Sequence, residues 1–214
     1  MSFEIVCFDC DSTLSAIEGI DELANRAGVG AAVAALTTAA MNGEVPLEDV
    51  YAQRLNIIKP NQAAIDWVAE LYIQRVVDGA LKVVQTLQAQ AKSVHIISGG
   101  LRQAILPLAA YLGVPATNVH AVDIMFNADG SYQGVDTNSL LAKTGGKAAI
   151  CRQINPAQAK LVLIGDGQTD LEAQLAGATV IGFGGVVTRP AVQLSANYYV
   201  QEASLLSVLR FIIS

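Results

Sequence analysis

The stretch IVCFDCDST, residues 5 to 13, leads from an apolar, strand-like run into a polar loop that carries two motifs at once. One is a Cys-x-x-Cys pair, Cys7 and Cys10, and the other is an Asp-x-Asp-x-Thr motif that begins at Asp9. A Cys-x-x-Cys pair is typical of redox or metal sites, whereas clustered carboxylates suit a cation and phosphoryl transfer. The interpretation of this stretch therefore decides the chemistry and the fold that supports it.

Strand geometry separates the two motifs. Residues three apart in a strand point to opposite faces, and at roughly 3.3 Å per residue the Cα atoms of Cys7 and Cys10 would lie about 10 Å apart. A disulfide needs about 4.4 to 6.8 Å, so we predict free thiols, with Cys7 packed in the core. Asp9 and Asp11 share a face where the strand ends, and two carboxylates so close require a nearby cation.

The composition sets the class of protein. The chain has 214 residues, of which 52% are hydrophobic and 15% charged, so it can bury a large core. A formal net charge of -6 argues against nucleic-acid binding, which needs clustered Lys and Arg. No run of about 18 apolar residues is present to span a membrane. The first basic residue is Arg26 and the cysteines number three, so we expect no signal peptide and a cytoplasmic protein.

Apolar runs rich in strand formers recur at residues 3–9, 93–98, 161–165, 178–183 and 197–200. Helical stretches separate them, which indicates a parallel sheet covered on both faces. The predicted fold class is α/β, with a doubly wound, mainly parallel sheet. Ligands of such sheets bind at the carboxyl ends of the strands.

About eighty residues separate the first two strands, which is too many for one crossover helix. Apolar residues at helical spacing fill much of this segment. We therefore predict a small helical cap at residues 15–75, inserted into a catalytic core made of residues 1–14 and 76–214. Farther along, VDIMFNADGSYQGV is predicted to form a hairpin that turns at Asp129 and Gly130.

Two later loops carry groups suited to phosphate. The run IISGG places the Ser98 hydroxyl before Gly99 and Gly100, whose backbone amides can approach an anion closely. The run TGGKAAI places Lys147 at the start of a helix, where the ammonium and the helix dipole both favour phosphate. Lys143 is an alternative for this role, but it lacks the adjacent glycines.

A fourth loop completes the set. The run GDGQTDLEA ends a strand with Asp166 and opens a helix near Asp170, adding one carboxylate for a metal and another to orient its neighbours. Magnesium favours few carboxylates together with substrate phosphate oxygens. The four loops together predict a Mg²⁺-dependent phosphoryl-transfer site. His95 and His120 have no partners at metal spacing, and we expect both to be structural.

The motifs DCDST, SGG, GGKAA and GDGQTDLEA, in this order, resemble those of the haloacid dehalogenase superfamily. The segments IEGIDELA, AMNGEVPLEDVYAQRL, GVPATNV and IGFGG extend the likeness over nearly the whole chain, and they are similar to the phosphoserine phosphatase family in particular. The resemblance implies a Rossmann-like core with an inserted cap. It also implies Mg²⁺-dependent hydrolysis of O-phospho-L-serine, the last step of serine biosynthesis, through an aspartyl-phosphate.

The resemblance further implies roles for single residues. Asp9 would be the nucleophile, and Asp11 would protonate the leaving oxygen and then deprotonate the attacking water. The metal would be held by Asp9, the Asp11 backbone carbonyl and Asp166. The groups that bind the phosphoryl oxygens would be Ser98, Gly99, Gly100, Lys147 and Thr169, with Thr13 and Asp170 in support.

The same resemblance implies that the cap selects the substrate. Phosphoserine carries an ammonium and a carboxylate, which Glu18 and Arg54 would bind, with Met41 as a further contact. Departures from the family pattern at Asn42, Leu101 and Gln168 bear on substrate fit.

Two alternatives remain at this point. One is a phosphatase or phosphotransferase that acts on another small phosphomonoester. The other is a signalling module like a receiver domain, which needs no cap and little more than half this length. The sequence leaves monomer and homodimer open.

Overall fold

A parallel sheet forms the centre of the computed structural model, which describes residues 3–41 and 45–213. The strands are β1 Ile5–Phe8, β2 Ser93–Leu101, β3 Val119–Val122, β4 Ile124–Phe126, β5 Tyr132–Val135, β6 Leu161–Gly165, β7 Thr179–Phe183 and β8 Tyr198–Val200. Six of them form one sheet in the order β3-β2-β1-β6-β7-β8, and β4 pairs with β5. All five pairings within the large sheet are parallel, which confirms the predicted α/β fold class.

Strand β1 lies in the interior of this sheet. β1 is hydrogen-bonded to β2 on one edge and to β6 on the other, and Val6, Cys7 and Phe8 are fully buried because both faces of the sheet are covered. Two-sided burial explains why the run is continuously apolar rather than alternating. The N–H of Asp9 still donates to the carbonyl of Ile164 at 2.8 Å, so the loop leaves the strand with its first residue fixed.

Helices cover the sheet. They are α1 Gly19–Arg26, α2 Gly30–Met41, α3 Leu47–Ile58, α4 Gln62–Gln74, α5 Ala80–Ala89, α6 Arg102–Leu112, α7 Gly146–Ile154, α8 Gln168–Leu171, α9 Pro190–Ser195 and α10 Leu209–Ile212. The first four lie between β1 and β2, in the segment for which a cap is predicted. Helix α4 begins where the Asn61 side chain accepts a hydrogen bond from the Ala64 N–H at 2.9 Å.

The chain leaves the sheet for these helices and returns to it at one place. The N–H of Ala16 donates to the carbonyl of Arg75 at 2.8 Å, and the N–H of Val77 donates to the carbonyl of Leu14 at 3.0 Å. The two crossings therefore run side by side. The division into a cap at 15–75 and a core at 1–14 and 76–214 stays a prediction.

The predicted hairpin is present as β4 and β5. Gly130 has φ +79°, which favours glycine, and Asp129 Oδ1 accepts from the Ser131 N–H at 2.9 Å. Strand β3 was absent from the prediction, because its four residues are followed after a single residue by β4. Near the end of the described chain lie a 3₁₀ turn at Leu205–Val208 and the single turn of α10.

The cysteines Cys7, Cys10 and Cys151 are free and buried, which agrees with the prediction for the Cys-x-x-Cys pair. The ring of His95 stacks on that of His120 at a centroid distance of 5.4 Å. No helix among the described residues has both the length and the apolar character that a membrane crossing would need.

Candidate active site

A cavity of about 200 Å³ lies at the carboxyl edge of the sheet. Because β2, β1 and β6 are adjacent and parallel, the loops that follow them meet there. The predicted residues that line the cavity are Asp9, Asp11, Glu18, Arg54, Ser98, Gly99, Gly100, Lys147 and Thr169. Asp166, Asp170 and Thr13 lie behind this lining and contact it through the bonds described below. The side chain of Met41, and all of Asn42, lie outside the described residues.

The Asp9 carboxylate is held by two donors. Its Oδ1 accepts from the N–H of Cys10 at 2.7 Å, and its Oδ2 lies 2.8 Å from Lys147 Nζ. The side chain is 12% exposed, on the side of the cavity. Asp9 is thus an oriented and largely desolvated carboxylate, which is the state expected of an oxygen nucleophile.

Lys147 lies between two carboxylates. Its Nζ is 2.8 Å from Asp9 and 2.6 Å from Asp170 Oδ1. Burial alone lowers the pKa of Lys147, but the charges of Asp170 and Asp9 outweigh burial and raise it. The preceding Gly146 permits this placement, since a Cβ there would come within 2.1 Å of the Leu140 carbonyl oxygen. Lys147 is therefore charged and buried among carboxylates. Lys143, the alternative for the phosphate role, is an exposed residue at the rim of the cavity.

Asp170 is fully buried and uses both of its oxygens. Oδ1 accepts from Lys147, and Oδ2 accepts from the Gly167 N–H at 2.9 Å at the start of α8. Oxygens of Asp9, Asp166 and Asp170 all lie within 4.8 Å of one another. Three buried carboxylates so close repel one another unless cations offset them. The Asp170 side chain is fully buried, whereas Asp9 lines the cavity and Asp166 keeps slight exposure, so Asp9 and Asp166 are the carboxylates better placed to bind a divalent metal.

Asp166 has a partner that the sequence analysis missed. Arg189 Nε donates to Asp166 Oδ2 at 2.9 Å, and Arg189 Nη2 lies 3.4 Å from Glu18 Oε1. Burial and the charge of Asp9 raise the pKa of Asp166, and Arg189 lowers it. The Thr13 hydroxyl is 3.5 Å from the other oxygen, Oδ1. Arg189 follows the IGFGG run at the end of β7, a position whose only sequence signal is its place after a strand.

The two oxygens of Asp11 have different surroundings. Oδ1 accepts from the Gly19 N–H and from the Tyr72 hydroxyl, both at 2.7 Å. Oδ2 lies 3.5 Å from Ser98 Oγ, on the side of the cavity. Burial and the charge of Asp9 raise the pKa of Asp11 to about 6, although the bonds from Tyr72 and Gly19 oppose the rise. A carboxyl group in this range can give and take a proton near neutral pH.

The glycines of the SGG run keep this region compact. The N–H of Gly100 donates to Ser98 Oγ at 3.0 Å. A Cβ on Gly100 would lie 3.0 Å from Asp11 Oδ2, so a larger residue would crowd the carboxylate. The carbonyl of Gly99 accepts from the Tyr51 hydroxyl at 2.8 Å, which links this loop to α3.

The helical wall of the cavity carries Glu18 and Arg54. Burial and the charge of Asp11 raise the pKa of Glu18 to about 8, although the bond from the Ser12 hydroxyl at 2.8 Å opposes the rise. Arg54 donates from Nη1 to Thr37 Oγ1 at 3.2 Å and stacks over the Tyr51 ring at 5.6 Å. Its buried Nε has no hydrogen-bond partner within the described part of the chain. Glu18 is thus placed to favour a bound cation and Arg54 a bound anion.

Three comparisons with known proteins bear on this site. A family model described as haloacid dehalogenase-like hydrolase matches residues 6–173. The chain is 41% identical over 202 residues to a phosphoserine phosphatase of Drosophila melanogaster, covering 93% of this chain and 75% of the relative. It is 40% identical over 203 residues to a chloroplastic phosphoserine phosphatase of Arabidopsis thaliana, covering 93% and 69%. A solved phosphoserine phosphatase with a phospho-aspartyl intermediate analogue superimposes with a TM-score of 0.81 at 25% identity, covering 99% of this chain and all of that one.

Proposed function

The chain belongs to the haloacid dehalogenase-like hydrolases and, within them, to the phosphoserine phosphatase family, and on this premise we propose that it hydrolyses O-phospho-L-serine to L-serine and phosphate with Mg²⁺ as cofactor. This reaction is the last step of serine biosynthesis. The observation that supports it best is that one cavity is lined by Asp9 and Asp11 and also by Glu18 and Arg54. The first pair suits phosphoryl transfer, and the second suits the two ends of an amino acid.

In the first half of the reaction, an Asp9 oxygen attacks phosphorus and the bond from phosphorus to the serine oxygen breaks. Asp11 gives its proton to that oxygen, so serine leaves as the alcohol. The ammonium of Lys147 and the hydroxyl of Ser98 bind phosphoryl oxygens, as does the backbone of the SGG run with Thr169 nearby. Phosphoryl transfer depends mainly on such positioning and charge neutralisation.

In the second half, Asp11 acts as a carboxylate. It takes a proton from a water molecule that attacks the aspartyl-phosphate, and the bond between phosphorus and Asp9 breaks. Phosphate leaves, and Asp11 regains the proton it needs for the next cycle. A single group with a pKa near neutrality can serve in both directions.

The donor set fits a divalent cation. Asp9, Asp166 and the backbone carbonyl of Asp11 would hold Mg²⁺, while Asp170 is engaged by Lys147 and Gly167. The bound ion would neutralise charge on the carboxylates and on the phosphoryl oxygens. The preference of Mg²⁺ over other divalent ions rests on its usual choice of few carboxylates and phosphate oxygens.

Substrate choice follows from the helical wall. Glu18 would bind the substrate ammonium, which favours the charged form of its carboxylate and lowers its raised pKa. Arg54 would bind the substrate carboxylate with the N–H edge of its guanidinium group that includes the unpartnered Nε. The cap at residues 15–75 belongs to the same proposal, and the free cysteines support a cytoplasmic location.

Phosphate release from a panel of phosphomonoesters tests this proposal. We expect O-phospho-L-serine to lead, and we expect EDTA to abolish release until excess Mg²⁺ restores it. The carboxyl methyl ester of O-phospho-L-serine lacks the free carboxylate. It is therefore the matched probe of Arg54, and it should react poorly. If another ester led by a wide margin, the phosphoserine assignment would be wrong and the phosphoryl chemistry would stand.

A further inference from the structure

Tyr72, in the last turn of α4, has no role in the reaction described so far. It is 1% exposed, and its hydroxyl donates to Asp11 Oδ1 at 2.7 Å. Its ring packs against Gly19, where a Cβ would lie 2.0 Å from the Tyr72 hydroxyl oxygen. Only glycine at position 19 therefore lets this hydroxyl reach the carboxylate.

The backbone of Tyr72 is fixed as well. The buried Ser15 hydroxyl donates to the Tyr72 carbonyl at 2.9 Å and lies 3.1 Å from the Arg75 carbonyl. The Ala16 N–H donates to the same Arg75 carbonyl at 2.8 Å. The end of α4 is thus tied to the loop that carries Asp11, and the distance between the Tyr72 hydroxyl and Asp11 is set on both sides.

These contacts make the two oxygens of Asp11 unequal. Oδ1 accepts two short hydrogen bonds, one from Tyr72 and one from the Gly19 N–H, which occupy its lone pairs. A proton is therefore disfavoured on Oδ1, because it would displace a donor from a charge-assisted bond. Oδ2 has only the distant Ser98 hydroxyl at 3.5 Å, and it lies toward the cavity. The proton that Asp11 carries belongs on Oδ2.

We propose that Tyr72 is a positioning residue for proton transfer: with the Gly19 N–H it holds Asp11 Oδ1 and thereby presents Oδ2 to the leaving oxygen of the ester. The inference rests on the proposed function and deepens it. As the bond between phosphorus and the ester oxygen breaks, the proton passes from Oδ2 to that oxygen. The attacking water later returns a proton to Oδ2, and Tyr72 keeps its own proton throughout.

The substitution Tyr72→Phe separates this role from a structural one when two esters are compared in rapid-quench experiments. The serine of phosphoserine leaves as an alkoxide that needs a proton, so the burst of serine release should slow roughly ten- to hundred-fold, which is part of the roughly 10²–10⁴-fold that a general acid contributes in full. The leaving group of p-nitrophenyl phosphate is a stable phenolate that needs no proton. Its burst of p-nitrophenol should change by less than about three-fold, since positioning of the acid contributes little there.

Gly19→Ala is the second variant, because the added Cβ pushes the Tyr72 hydroxyl away from Asp11. It should give the same selective loss if Tyr72→Phe folds poorly. Tyr132→Phe removes a hydroxyl that lies 3.5 Å from Asn56 Oδ1, away from the cavity, and should leave both bursts unchanged.

Equal slowing of both esters in Tyr72→Phe would overturn the inference, because it would reflect a general disturbance of the site. An unchanged burst with phosphoserine would overturn it too. The wild-type protein distinguishes these results from failure of the proposed function: if it releases no phosphate from phosphoserine, the function is wrong. Should another alkyl phosphate be its substrate, the same two-ester comparison applies with that ester.

Discussion

On the sheet side of the cavity, Lys147 lies at 2.8 and 2.6 Å from two carboxylates and is 5% exposed. On the helix side, Arg54 has one hydrogen bond of 3.2 Å, to the Thr37 hydroxyl, and a buried Nε that no described group satisfies. Lys147 is held by two protein carboxylates and keeps one N–H donor for phosphate, whereas Arg54 is held by a single longer bond and its Nε is available to a ligand. Both lie at one cavity, yet they are prepared for different tasks.

This difference separates the two functions of the site, phosphoryl binding and substrate discrimination. The sheet side binds a group common to all phosphomonoesters, so its partners can be fixed in advance, and preorganised charges lower the barrier without rearrangement. The helix side must distinguish one alcohol from another, so unsatisfied donors and acceptors there raise discrimination. A substitution on the sheet side should therefore affect the rate constant, and one on the helix side the affinity.

The largest expected effect is that of Asp9→Asn on the sheet side. It removes the nucleophile, so phosphate release from phosphoserine should fall by more than roughly a thousand-fold. The fold should persist, because the amide can keep the bond from the Cys10 N–H and one of several mutually repelling charges is lost. Asp129→Asn, in the hairpin turn, is the matched control. Full activity of Asp9→Asn would remove the aspartyl-phosphate from the mechanism.

The next effect is that of Lys147→Met, compared with Lys143→Met at the rim. Loss of Lys147 leaves two buried carboxylates without their cation, which should cost about 3 kcal/mol or more of unfolding free energy in addition to a large fall in kcat. The exposed Lys143 should change stability very little. Urea denaturation and steady-state kinetics measure both quantities. Equal falls in kcat in the two variants would mean that both lysines bind the phosphate.

Arg54→Lys sharpens the comparison on the helix side. It keeps the charge and loses the planar donor set, so KM for phosphoserine should rise about ten-fold or more while kcat stays within about three-fold. Arg26→Lys is a suitable control, because Arg26 stacks on Trp67 at 4.5 Å and lies outside the cavity. A fall in kcat at constant KM would mean that Arg54 acts in the chemical step, and it would contradict the assignment of catalysis to the sheet side and affinity to the helix side.

The smallest effect concerns pH and lies on neither wall. Burial, with the charge of His120, lowers the pKa of His95 to about 4 from an ordinary value of 6.5. The unfolded chain therefore binds a proton more readily than the folded one as the pH falls from about 6.5 to 4, and stability is lost over that window. We expect Tm to drop less between pH 7 and pH 5 in His95→Gln than in the wild type. An identical drop would show that His95 does not determine the acid sensitivity.

The parts of the site that follow strands could be predicted from the sequence, because their place in the fold is local. Asp9 and Asp166 each come directly after an apolar run, so a parallel sheet brings them to one edge. Tyr72 is different: in the sequence it is one apolar position of an amphipathic helix, and its bond to Asp11 joins residues 61 apart. Such contacts depend on how α4 packs against the loop after β1.

Arg189 shows the same limit. It lies 171 residues from Glu18 and is held against Asp166 by the loop after β7, so no spacing in the sequence relates the three. Strand β3 was missed for another reason, since only one residue separates it from β4 and the sequence shows no break between the strand and the predicted hairpin. The roles given to the site residues stay predictions until the variants are measured.

The segment from α1 to α4 begins and ends at adjacent points of the chain, where Val77 bonds to Leu14 and Ala16 bonds to Arg75. It could therefore be exchanged as a unit. Because its two ends are already hydrogen-bonded to each other, replacing what lies between them adds little closure entropy and leaves the order of strands unchanged. The same catalytic sheet could thus acquire different substrate-binding insertions in the course of evolution. For protein engineering, the same junction is the place to graft a new specificity onto an unaltered phosphoryl-transfer centre.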